Sequence, residues 1–378
     1  MMSCPVKNLL IMMCLLAVAF GCYAQSDGYV YKPVPAEYLE RKIPSSLVQK
    51  ADQLKRRAFP IESVLPINYV TDGTIDYTRY VQAAMDAHLI VLMPDFPVLV
   101  NDSGLNVRTG QSIIFNTLSK IVLVPSRLNT YEILRVHNAD NVFIYQPVIT
   151  GDKGKHLDTL GQWGMGIAIR ASENVVLVKP QISKCWGDGI YIGQLNKKPA
   201  RNITIIEPLL DDNRRNGLSV TAVNGLKIIG GVISNSNGQN PKSGIDIEPN
   251  HNHDVIDSIT ISETVTFNHA SYGIVISLQH LLGRASGKSN ITLIKTIDDS
   301  SGIGLGIIGK PLDGVLDGRI RISGPALLNN RKMPIRLPLR PFGLKVELSG
   351  LMIETPFKYY KTDRIKAILK KKHNIIVQ

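Results

Sequence analysis

The chain has 378 residues, 44% of them hydrophobic and 20% charged, with a formal net charge of +12. That balance excludes a disordered or collagen-like chain and supplies apolar side chains for a sizeable core. Three of the four cysteines, Cys4, Cys14 and Cys22, lie close to the N-terminus, so Cys185 stands alone in the rest and no disulfide framework is available.

Residues 1–24 read as a secretory leader. Lys7 supplies the positive start, Leu9–Phe20 the apolar run, and Ala24 a small residue for cleavage. The run falls short of the ~20 residues that a membrane span needs, and no later stretch comes closer. Gly21-Cys22 is a competing lipid-anchor site, with Ala19 where such leaders usually carry Leu. The expected location is therefore outside the cytoplasm, periplasmic or at the cell surface. In that setting the basic excess predicts an acidic polysaccharide as partner rather than nucleic acid. Sequence leaves the oligomeric state open.

Residues 25–69 read as irregular, with one helix around Ser46–Arg57. Next comes VTDGTIDYTRYVQAAMDA (70–87), a turn at Asp72-Gly73 leading into a helix with Tyr80, Ala83, Ala84 and Ala87 at helical spacing. VLMPDFPVLV (91–100) reads as the first strand after this cap. SIIF (112–115), KIVLV (120–124), EILRV (132–136) and NVFIY (141–145) continue as strands.

A repeat then becomes legible. GIAI (166–169), GIYI (189–192), GLSV (217–220), GIDI (244–247) and GIVI (273–276) carry their glycines at 166, 189, 217, 244 and 273. NVVLV (174–178), NITII (202–206), GLKII (225–229) and NITLI (290–294) interleave with them, each opening at Asn or Gly. A period of this length means one supersecondary unit stacked on the next. The fold class expected is all-β, a single-stranded right-handed parallel β-helix with an N-terminal capping helix. Its coils are assigned to residues 70–350, leaving a basic C-terminal segment at 351–378.

Stacked parallel coils place equivalent residues ~4.8 Å apart, so aligning the glycines yields columns. Ile167, Ile190, Leu218, Ile245 and Ile274 point inward. Two residues after each glycine the outward column is Ala168, Tyr191, Ser219, Asp246, Val275, and four after it Arg170, Gly193, Thr221, Glu248, Ser277. Asp188 precedes one glycine and Arg215 lies two before the next. Asp188, Tyr191, Arg215, Asp246 and Glu248 thus fall on one side of three consecutive coils, followed by His251 and His253. Neighbouring carboxylates on an exposed strand face repel unless a cation or substrate compensates, which makes Asp246 and Glu248 the sharpest functional pair. The bland alternatives are a corner bond for Asp188 and ion pairs of Arg214 and Arg215 with Asp211 and Asp212. Cysteine and histidine show no metal-ligand spacing.

The strings CWGDGIYIG (185–193), DDNRRNGLSV (211–220) and SGIDIEPN (243–250), with the D-G-T-x-D-x-T turn at 72–78, resemble right-handed β-helix proteins of the pectate-lyase-like superfamily. Asp188-Gly189-Ile190 is also similar to the acid-bearing string of polygalacturonases, although that family's paired aspartates and Gly-His-Gly string are missing. The resemblance implies a surface acting on carbohydrate and leaves the reaction open among lyases, epimerases, hydrolases and tailspikes.

The first expectation is a polysaccharide lyase on a uronate-containing, glycosaminoglycan-like polymer. β-Elimination needs a neutralised carboxylate, a base and an acid. Arg215, with Arg214 or Lys184, is the candidate neutraliser, or a calcium ion on Asp246 and Glu248. His251, Tyr191 and Tyr272 are the base and acid candidates. Trp163 or Trp186 is a stacking candidate, and His156 and Lys242 complete the substrate-binding set. The alternatives are an inverting hydrolase using Asp246, Glu248 and Asp188, a uronan epimerase, or a non-catalytic glycan-binding protein.

Overall fold

Short strands with one apolar face cannot stand alone, and here each coil covers the apolar edge of the one before. The computed structural model describes residues 28–40, 42–281, 288–308, 316–337, 344–371 and 375–378. The leader and Cys22 lie outside these residues. Three parallel sheets of 12, 10 and 9 strands run along the described chain, and successive strands in each sheet come from successive coils. The chain is a parallel β-helix. Its interior is a continuous stack that includes Ile167, Ile190, Leu218, Ile245 and Ile274.

The repeat has a steric origin. A Cβ placed on Gly189 would lie 2.7 Å from the Gly217 carbonyl, and one on Gly244 would lie 2.5 Å from that of Gly273. Only glycine lets adjacent coils close there. At another corner Asn141, Asn174 and Asn202 adopt positive φ, and their side chains form a ladder. Asn174 Nδ2 donates to Asn141 Oδ1 at 3.1 Å, and Asn202 Nδ2 to Asn174 Oδ1 at 3.3 Å. Asparagine tolerates the left-handed region and supplies its own bond.

Helix α1 (Ser45–Lys55) lies on the outside of the largest sheet, with Ala51, Leu47 and Leu54 against Ile114, Phe143 and Val178. Helix α2 (Thr78–Ala87) is the N-terminal cap. Its core face is Val81, Ala84 and Met85 rather than the alanine-led face read from sequence, because Val and Met bury more apolar area than Ala83 and Ala87. Coils extend past both assigned boundaries. Phe59–Pro60 pairs with Val91–Leu92, Met352–Glu354 pairs with Ala326–Leu328, and Ile375–Val377 pairs with Val346–Leu348. The basic segment therefore supplies final strands and a third helix, α3 (Thr362–Lys370), whose Ile365 and Leu369 join the core.

The segment before α1 is irregular yet docked. Tyr29, Lys32 and Val30 bond to Asn235 and Asn268, and the Tyr38 hydroxyl donates to Asp299 at 3.2 Å. The segment thus crosses several coils along one corner. Among the described residues, no helix is long and apolar enough to cross a membrane.

Candidate active site

The column registry expected from the glycines is present in the nine-stranded sheet. Ala168 pairs with Tyr191, Tyr191 with Ser219, Ser219 with Asp246, and Asp246 with Val275. Outward from this sheet opens a cleft of about 290 Å³ whose lining includes Trp163, Arg170, Tyr191, Arg215, Asp246 and Glu248. Strand alternation aims Asp246 outward while Ile245 and Ile247 enter the core.

This outward column is covered rather than exposed. Asp246 is only 3% accessible and Asp188 is fully buried. Strand alternation points Asp246 away from the core, so its burial comes from the residues lining the cleft and not from strand direction.

Asp188 sits behind the cleft wall, as the partner of Arg215. Arg215 Nη1 donates to Asp188 Oδ2 at 2.8 Å, and the Asn216 backbone N–H donates to Oδ1 at 3.0 Å. The corner bond expected of Asp188 is thus present, whereas Arg215 pairs with Asp188 and not with Asp211 or Asp212. Asp211 and Asp212 face elsewhere: Asp212 takes Lys153 and Lys184, and Asp211 takes Tyr31, Ser234 and Asn235. Burial pushes the Asp188 carboxyl above its ordinary value against the pull of Arg215, Ser219 and Asn216.

Asn216 links the two acids. Its Oδ1 accepts the Ser243 N–H at 2.9 Å, which fixes the amide orientation. Nδ2 therefore faces Ser219 Oγ at 3.0 Å and Asp246 Oδ2 at 3.2 Å. Burial, and then the charge of Glu248, push the Asp246 carboxyl up to about 8 despite the opposing pull of Arg215.

Tyr191 lies flat in the cleft floor on Met165 and Ala168, its hydroxyl 2.8 Å from Thr221 Oγ1. The Arg170 guanidinium covers its ring at 4.1 Å and donates to Glu132 at 2.9 Å. Burial raises the Glu132 carboxyl, but His137 and Arg170 outweigh it and hold the group below its ordinary value. Glu132 was not singled out from sequence because its coil has no glycine to align. The signal lay in EILRV, whose Leu134 pairs with Ile167 and places Glu132 beside Met165.

Several sequence candidates lie outside the cleft. His251 follows the cleft residue Asn250, but both backbone N–H groups bond to Asp254 Oδ2 at 2.9 and 2.8 Å and curl the chain away. The Tyr272 hydroxyl accepts from Arg336 at 2.9 Å, and its ring packs on Val275 and Ile303. Lys242 occupies a left-handed corner position. Lys184 is held by Asp212.

Arg214 and His156 serve the loop beside the cleft. Arg214 lies 3.6 Å from the Trp186 ring centre and donates to the Gly161 carbonyl at 3.0 Å. The His156 ring stacks on Trp186 with centres 4.0 Å apart, and its Nδ1 meets Asp152 at 2.8 Å. Together they pin loop 152–163, at whose end Trp163 remains 46% exposed on the cleft rim. Cys185 is buried beneath the same region.

Calcium is a poor match to Asp246 and Glu248. It takes six to eight oxygens, whereas the Arg215 guanidinium already acts as the cation facing this pair.

Residues 98–253 match the family model described as the right handed beta helix region. The chain has the right-handed parallel β-helix fold. A tailspike protein mutant of Escherichia coli bacteriophage HK620, solved with a pentasaccharide, superimposes with a TM-score of 0.56 at 11% identity, covering 88% of this chain and 62% of the tailspike. The polygalacturonase of Erwinia carotovora ssp. carotovora gives 0.54 at 14% identity, over 82% and 95%. At such identities the likeness is one of fold. The SPbeta prophage-derived uncharacterized protein YorA of Bacillus subtilis (strain 168) is 28% identical over 162 residues, 38% of this β-helix and 28% of YorA. The β-helix spans well under half the length of the curated relatives it matches.

Proposed function

We propose that the protein is an exported glycoside hydrolase that cleaves a polysaccharide with inversion, Asp246 acting as general acid and Glu248 as general base. The observation that carries this reading is the division between the two carboxyl groups. Asp246 is pushed up to about 8 by burial and by its neighbour, so at neutral pH it holds the proton a leaving oxygen needs. Glu248, two residues on, is separated by about 7 Å from strand rise, a spacing that leaves room for a water between acid and base. The buried Asp188–Arg215 pair positions this acid through Ser219 and Asn216. The leader expected from the sequence at 1–24 and the tailspike and polygalacturonase folds agree with an extracellular glycan substrate.

Elimination is less well supported by the geometry. Both guanidinium groups in the cleft, Arg170 and Arg215, already carry a carboxylate partner, Glu132 and Asp188, so each would have to share its charge with a uronate. Incubation with a panel of neutral and acidic polysaccharides separates the readings. Hydrolysis yields new reducing ends without the ultraviolet absorbance of an unsaturated sugar. That absorbance would replace this proposal with the lyase, and binding without either product would indicate an adhesin.

Trp163 offers an exposed aromatic face to a sugar ring. Trp163→Ala is expected to raise KM about tenfold with kcat little changed, the equivalent of ~1.4 kcal/mol of uniform binding. An unchanged KM would remove Trp163 from substrate contact.

A further inference from the structure

We infer that the turn following Glu248 is a binding site for a transition-metal ion of borderline softness, zinc in the first instance, with His251, His253 and Asp254 as its protein ligands. The three side chains bring one ligand atom each to within 4.8 Å of one another. His251 Nδ1 stands 3.5 Å from Asp254 Oδ2, and His253 Nε2 stands 3.9 Å from Asp254 Oδ1. These separations exceed those of hydrogen bonds. The first is close to the edge of a tetrahedron around zinc, about 3.4 Å when ligands sit at 2.0–2.1 Å, and the second would close by about half an ångström on binding.

The turn is built in two parts that suit this role. Asp254 is buried, and the Asn250 and His251 backbone N–H groups hold its Oδ2, which presets one ligand. The imidazoles are 54% and 41% exposed, with ring centres 5.0 Å apart at 19°, so they contribute little to the core and can shift a fraction of an ångström. Two imidazoles and a carboxylate match zinc's preference, and the exposed side leaves a fourth position for water or a ligand group. Asn250, where the turn begins, lines the catalytic cleft, so a bound ion would also brace that rim. No Cys/His spacing announces this site in the sequence, because the ligand set is completed by an aspartate and a tight turn.

Titration of the tag-free, chelator-treated full chain with zinc chloride by calorimetry tests the site, independently of any glycan activity. One zinc per chain is expected, and His253→Ala should weaken it at least tenfold while leaving the circular dichroism spectrum unchanged. His251→Ala should do the same. Cobalt soaked into wild-type protein should show the absorption bands of a four-coordinate ion, lost in the His253 variant. Failure of wild-type protein to bind zinc, or equal binding by both histidine variants, would overturn the assignment.

Discussion

Asp246→Asn is expected to abolish turnover and to make the protein more stable. Loss of the general acid should lower kcat by ~10²–10⁴-fold. In wild-type protein the rate should fall as pH rises through about 8, where Asp246 loses its proton. The stability effect follows from linkage. The folded carboxyl lies near 8 against an ordinary value of 3.8, so folding takes up a proton between those pH values. The contribution of Asp246 to stability is fully present below about 4 and declines as pH rises through the folded value. Asparagine removes this slope. At pH 7 the variant should gain up to about 4 kcal/mol, read as a higher urea midpoint. A fully active Asp246→Asn protein would end the hydrolase proposal, and an unchanged urea midpoint would show that burial costs the carboxyl little.

Arg215→Ala should destabilise the protein by about 3–5 kcal/mol, the usual cost of leaving a buried charge without its partner. This departs from the sequence-based expectation of a surface arginine free to meet substrate, since its guanidinium lines the cleft wall but bonds to fully buried Asp188 behind it. The double variant Arg215→Ala/Asp188→Asn should recover much of that loss, because the orphaned carboxylate is gone. Denaturant unfolding of the two single variants and the double completes the cycle. A single variant within ~1 kcal/mol of wild type would mean that the pair is not closed in solution.

Much of the cleft was legible in the glycine repeat. Alignment on Gly166, Gly189, Gly217, Gly244 and Gly273 placed Tyr191, Ser219 and Asp246 on adjacent rungs, and the register bears this out. That succeeds because stacking is local: each coil must present the same backbone shape to the next, and a Cβ at the first four of those glycines would strike the adjoining carbonyl. The same alignment was silent on Glu132, whose coil carries no marker, and misplaced His251, whose turn is governed by one bond-accepting aspartate.

The sequence by itself determined the period, the inward and outward columns and the capping helix, because strand alternation and glycine sterics act between near neighbours in each coil. Tertiary structure alone decided that Asp188 is buried as a partner, that burial raises the Asp246 carboxyl, and that Arg214, Trp186 and His156 lock a loop. Those outcomes depend on which side chains from coils some thirty residues apart exclude water together, and desolvation is a property of the assembled wall rather than of any one string.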